Sequence, residues 1–151
     1  MDSPEDYERT IKEVPEHVAF LYSAYFCQFE VCNGGFSQFF SNSTGVLAPE
    51  AVEAFKAIGQ PGVADSVQQA MSPLGLPYKR SRHDRWRGLD HLIEQYGGEV
   101  LEPIRGHLYR SAECFRPIEA EFYRLINEEG GGFEAAADKC ADSKGTLRSY
   151  F

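Results

Sequence analysis

The sequence predicts an all-α protein: a single compact bundle of about six to eight helices around a buried central helix, with no sheet. Three observations carry this. Val18, Leu21, Tyr22, Tyr25, Phe26, Phe29 and Cys32 recur at i, i+3, i+4, i+7, i+8, i+11 and i+14, one unbroken helical stripe. Gly and Pro punctuate the chain at the spacing of short helices. No stretch alternates apolar and polar residues over a strand's length.

The elements follow in order. Ser3 as N-cap, Pro4 and Asp6 open a short polar helix. The central helix is expected over 15–33, with Pro15 in its first turn and Phe20, Ala24, Cys27 and Val31 as a second stripe beside the first. A helix apolar on two faces is a buried one. Pro49 to Ile58 forms a helix with Val52, Phe55 and Ile58 on one face and Gly59 as its stop. Pro61 to about Ser72 forms the next, with Val63, Val67, Ala70 and Met71. After the loop at Pro73, Gly75 and Pro77, a helix runs from about Ser81 to Tyr96 with Trp86, Leu89, Ile93 and Tyr96 inward. Gly97-Gly98 breaks it, and Glu99 to about Tyr109 reads as a weaker helix. Phe115, Ile118, Phe122, Leu125 and Ile126 define another, ended by Gly130-Gly131-Gly132. Phe133 to Cys140 closes the bundle.

A chain of 151 residues suits one domain, residues 1–151. Its beginning is acidic and its longest apolar run, Val18 to Phe26, is far short of the roughly 20 residues a membrane helix needs. This predicts a cytoplasmic protein with no membrane contact. The cysteines, Cys27, Cys32, Cys114 and Cys140, form no C-x-x-C pair and read as buried thiols. His17, His83, His91 and His107 have no metal-site spacing, so neither a metal nor a cofactor is expected.

Net charge is −8 and uneven. Residues 1–76 carry ten acids against three bases, 77–116 six against eight, and 117–142 seven against two. Direct nucleic-acid binding needs clustered Lys and Arg and is not expected; a basic protein is the fitting partner. Glu50 to Ala70 has the length of a helix-turn-helix. Its second helix offers Asp65, Ser66, Gln68 and Gln69 but no base for phosphates, so it reads as a packed hairpin.

The stretch from Glu30 to Gly45, EVCNGGFSQFFSNSTG, allows two readings. In the first it turns a corner. Asn33, Gly34 and Gly35 end the buried helix, Phe36, Phe39 and Phe40 return to the core, and Gln38 and Asn42 bond locally. In the second, Glu30, Asn33, Gln38 and Asn42 form a polar cluster around a ligand, as in an enzyme or small-ligand-binding domain. The motif has no nucleophile–base pair and no metal-ligand set, so no catalytic residue is assigned.

Asn33, Gly34, Gly35, Phe36, Gln38, Phe39, Phe40, Asn42 and Gly45, with Gly59 closing the next helix, resemble the signature of the DNA-mimic protein family, long known only as a domain of unknown function. The later FRPIEAEFYRLINEE is similar to that family's helix near its C-terminus. The resemblance implies an all-helical single domain, often dimeric. In the characterised type member it implies an acidic surface that occupies the DNA-binding face of a transcription regulator.

Such a surface needs rows of carboxylates. Asp2, Glu5 and Asp6 make one group; Glu121, Glu128 and Glu129 make a second, with Arg124 between them. The basic run Lys79, Arg80, Arg82, Arg85 and Arg87 surrounds His83 and Trp86. It reads either as a site for an anion or the acidic face of a second copy, or as a solvated helix start with Trp86 in the core. Eleven Phe, eight Tyr and one Trp exceed what a core of this size readily hides, which predicts self-association as a homodimer. The function expected is that of a non-enzymatic interaction protein binding a basic DNA-binding regulator.

Overall fold

The protein's structure, a computed structural model, describes residues 15–104 and 107–144. The expected first helix, with Asp2, Glu5 and Asp6, lies outside the described residues. Six α-helices are described: α1 Glu16–Ser41, α2 Ala48–Ala57, α3 Pro61–Met71, α4 Arg82–Tyr96, α5 Arg116–Glu128 and α6 Phe133–Lys144. Between α4 and α5 stands an antiparallel hairpin of β1 Gly98–Ile104 and β2 His107–Ala112.

The hairpin corrects two expectations, the absence of a sheet and the weak helix at 99–109. A helix there would carry Pro103 in its interior at a cost of about 3 kcal/mol. In the strand, Pro103 falls within the irregular step between Leu101 and Ile104, where no ladder bond is needed. Gly98 enters the strand at φ 143, with a Cβ position only 2.1 Å from the Ser111 carbonyl oxygen, so it admits glycine alone. The hairpin is tied to α1 by the Ala112 N–H, which donates to Ser37 Oγ at 2.9 Å.

Helix α1 packs against α2, α4, α5 and β2. Its second stripe is the buried one: Ala24, Cys27 and Val31 are fully enclosed. The first stripe divides. Val18 and Leu21 are buried, whereas Tyr25 is 42% and Phe29 50% exposed, and Cys32 is also exposed. The helix is therefore buried on one face, and the other ends in a surface of rings. Tyr96, expected inward, is likewise exposed. Of the four thiols only Cys27 is buried.

Helix α1 breaks at the double glycine. Gly34 has φ −153 and ψ 15, and Gly35 has φ 81 and ψ −179, a combination essentially confined to glycine. The turn of helix beyond it returns Phe36, Phe39 and Phe40 to the interior, each fully buried. There they meet Phe115 and Phe122. Phe36 lies edge-on to Phe122 at 5.5 Å, Phe40 is 5.6 Å from Phe115, and Phe55 of α2 reaches Phe122 at 6.2 Å. Such aromatic pairs contribute about 0.5–1.5 kcal/mol each beyond their burial. Of the predicted inward positions of α2, α3 and α5, Val52, Phe55, Val63, Val67, Ala70, Phe122 and Ile126 are buried, whereas Ile118 and Leu125 are only partly so.

The two glycines are not equivalent. A Cβ on Gly35 would lie 2.2 Å from Glu119 Oε2 in addition to its strained φ. A Cβ on Gly34 would meet the Gln38 side chain, its Oε1 at 1.8 Å and its Cβ at 3.0 Å, but without a left-handed φ. We expect Gly35→Val to destabilise the fold by about 3 kcal/mol and Gly34→Val by clearly less. Urea unfolding of both variants checks this, and equal losses would contradict the assignment of the strain to Gly35.

Candidate functional site

The polar chemistry of the corner turns inward. Glu30, though a carboxylate, is only 9% exposed. Its Oε2 accepts from Gln38 Nε2 at 2.9 Å and from Asn42 Nδ2 at 2.8 Å. Three of the four polar residues expected to cluster thus do so, on one side of the kinked helix. Asn33 does not join them and is exposed. Beyond the kink, the freed Phe36 N–H donates to Glu119 Oε2 at 2.7 Å, and Tyr123 Oη donates to the Val31 carbonyl at 3.0 Å. Helix α5 thereby clasps both sides of the corner. Burial raises the Glu119 carboxyl above the ordinary value of 4.5, and the Phe36 hydrogen bond opposes that rise without cancelling it.

Glu119 and Tyr123 were not singled out from the sequence. A signal for the first existed: Glu119, Phe122 and Ile126 stand at i, i+3 and i+7, which puts a carboxylate on the apolar face of an amphipathic helix. Gln60, fully buried, gave no such signal; its Nε2 donates to the Glu129 carbonyl at 2.8 Å.

The basic run turns inward as well. Arg85 is 1% exposed. Its Nε donates to the Phe40 carbonyl at 2.8 Å, its Nη2 to Asn42 O at 2.9 Å and its Nη1 to Arg80 O at 2.6 Å. Arg82 Nε and Trp86 Nε1 both donate to Ser41 O at 2.8 Å. Arg80 donates to Val46 O at 2.6 Å and grips the Glu50 carboxylate through both Nη atoms. Tyr78 Oη donates to Gly45 O at 2.5 Å. The anion-site expectation is corrected here for Arg80 and Arg85, because backbone carbonyls and Glu50 already take their donors. Arg87 is exposed and paired with Asp84 on its own helix. Trp86 is only part-buried, with the guanidiniums of Arg82 and Arg110 at 4.9 and 5.4 Å from its ring centroid.

The acidic group on α5 also divides. Glu121 and Glu128 are exposed and flank Arg124, at 2.6 and 3.4 Å. Glu129 instead caps α3: its carboxylate accepts from the Gly62 and Val63 N–H groups at 2.8 and 2.9 Å. A carboxylate at a helix N-terminus satisfies orphan donors and the helix dipole together, so Glu129 serves the fold. Glu134 and Asp138, which the sequence reading passed over, are exposed on α6 and have no ion-pair partner among the described residues.

One cavity of about 510 Å³ opens between the first half of α1 and α6, with Leu21, Tyr25 and Phe133 among its walls. Glu30, Asn33, Gln38 and Asn42 do not line it. No helix among the described residues is long and apolar enough to cross a membrane.

A family model described as DMP19-like protein matches residues 12–140. The chain belongs to the DMP19-like family. The match spans the kinked α1, the carbonyl-capping basic run and all of α5, so the corner and the side chains that brace it lie within the DMP19-like region. No curated protein and no solved structure matched the chain.

Two outcomes follow from this geometry. Arg85→Met should destabilise by about 3 kcal/mol or more, since several buried carbonyls lose a donor at roughly 1–3 kcal/mol each; Arg87→Met should change stability little. Denaturant midpoints of the two variants test the contrast, and a tolerant Arg85→Met would remove Arg85 from its structural role. The second concerns pH. Folded Glu119 keeps its proton to higher pH than the unfolded chain does, so its contribution is complete below 4.5 and is lost as pH rises through the raised value. Relative to Glu119→Gln, whose carbonyl still accepts from Phe36, the wild type should lose stability across that window. Parallel stability–pH curves for the two proteins would refute the burial of this carboxyl.

Proposed function

We propose that this DMP19-like chain is a non-enzymatic interaction protein whose acidic helix faces bind a basic protein of the DNA-binding regulator class, in the manner of a DNA mimic. The observation that carries the reading is the closure of the Glu30 network. The polar residues best suited to chemistry are spent on one another, and none of them lines the cavity. That leaves the surface. Membership of the DMP19-like family is compatible with mimicry. So is a net charge of −8 with exposed carboxylates on α5 and α6.

Exposed charges attract at a distance and are screened beyond about 8 Å at physiological ionic strength. The complex should therefore form quickly at low salt and weaken as salt rises. Glu121 and Glu128, at the rim, should act chiefly on the rate of association. Glu129 should not be used for this test, because its reversal would uncap α3.

The exposed rings of Tyr25 and Phe29 support the further reading that the protein self-associates. Sedimentation at rising concentration reports on that separately.

Capture of partners from native lysate, repeated at high salt and with competing duplex DNA, tests the central reading. The expected result is a basic protein that salt and DNA both release, and that the double variant Glu121→Lys, Glu128→Lys binds more slowly at unchanged melting temperature. Capture of proteins indifferent to salt, to DNA and to the charge reversal would sink the mimic reading.

A further inference from the structure

The cavity between α1 and α6 has a chemistry that the acidic faces alone do not explain. Its floor is apolar and set into the core: Leu21 of α1, Ile126 of α5 and Ala141 of α6 are all buried. Phe133 and Ala137 of α6 and Tyr25 of α1 form the walls. At about 510 Å³ it falls in the range of sites that bind, and it has room for a few large apolar side chains. The apolar surface does not stop at the rim. Tyr25 stacks on Phe29 with centroids 6.4 Å apart, which carries it outward along α1.

The rim has one sign of charge. Among the described residues, Glu134 and Asp138 both line the cavity and no Lys or Arg does. They stand four residues apart on α6, so they share a face one turn apart. Both are exposed and neither has an ion-pair partner among the described residues. An apolar floor asks for apolar side chains; two exposed carboxylates one helical turn apart ask for cations at the same spacing. A single element meets both demands, an amphipathic helix with an apolar stripe and Lys or Arg beside it at i and i+4.

We propose that this groove is a docking site for a basic amphipathic helix of a protein partner. The inference rests on the acidic-interaction reading and adds to it the place where the contact is anchored. Charge brings the partner in, and insertion of apolar side chains between α1 and α6 sets its residence time. The acidic rim disfavours anionic lipid and acidic peptides.

The test uses the full chain and a synthetic labelled helix with Leu on one face and Lys on the other. A scrambled peptide of the same composition, with its apolar stripe destroyed, is the control. Anisotropy should show the amphipathic peptide binding at least about tenfold more tightly than the scrambled one. Ala135→Trp places an indole in the groove from an exposed position and should abolish the difference while the melting temperature holds. Glu134→Gln with Asp138→Asn, which leaves the floor intact, should weaken binding about tenfold and flatten its salt dependence. Equal binding of both peptides, or binding that survives Ala135→Trp, overturns the proposal. So does a dimer that Ala135→Trp dissociates, since a second copy would then be the occupant. Lysate capture with Ala135→Trp beside the wild type separates the two readings. A salt-sensitive basic partner held equally by both overturns the groove and leaves the interaction reading standing. Groove-dependent peptide binding with no basic partner captured leaves the groove standing and removes that reading.

Discussion

The structure depends on how the carbonyl end of α1 is satisfied. A helix end leaves its last four carbonyls without partners, and the dipole there favours positive charge. The last turn of α1 contains no basic residue of its own. The donors come from the segment 78–86 instead. Tyr78, Arg80, Arg82, Arg85 and Trp86 together reach the carbonyls of Phe40, Ser41, Asn42, Gly45 and Val46. Arg85 sits at the middle of this array, buried so fully that desolvation lowers its pKa. A buried cation is expensive unless its donors are used, and here all three guanidinium nitrogens have acceptors. The contact fixes α4 against the end of α1, and with it the hairpin and α5 that follow in the chain.

The second constraint is the Gly34-Gly35 break. It exposes an N–H that a continuous helix would have paired, and Glu119 takes it. The same break turns three phenylalanines into the core, two of which, Phe36 and Phe40, meet Phe115 or Phe122. Backbone strain, a half-buried carboxylate and an aromatic cluster are therefore one device. Each supports the others: the rings and the α5 hydrogen bonds hold the strained turn, and without the turn the rings point elsewhere.

This arrangement shapes what the surface can do. Residues that look reactive in the sequence, Glu30, Gln38, Asn42 and Arg85, are used up inside. Glu129, one of the expected surface carboxylates, closes α3. What faces outward is a different set: Glu121 and Glu128 around Arg124, the exposed Glu134 and Asp138, and the rings of Tyr25 and Phe29. Carboxylates beside exposed rings are suited to holding another protein.

Periodicity and punctuation determined much of this by themselves. The positions of α2, α3, α4 and α5, the break at the double glycine, and the inward course of Phe36, Phe39 and Phe40 were all legible, because each follows from local spacing and from what glycine and proline permit. The resemblance seen in the NGGF stretch agrees with the DMP19-like match over residues 12–140. What only the tertiary structure decided was which partner each polar or aromatic group finds. The pattern of α1 has two apolar stripes, and nothing local says which one the rest of the chain covers. Glu119 meets Phe36 across 83 residues of sequence, and Arg85 meets Phe40 across 45. The hairpin, too, is a pairing between segments, so local pattern alone does not reveal the strands of residues 98–104 and 107–112. A charged side chain on a helix reads the same in the sequence whether it meets water or a buried carbonyl. Only the packing of distant segments settles the difference.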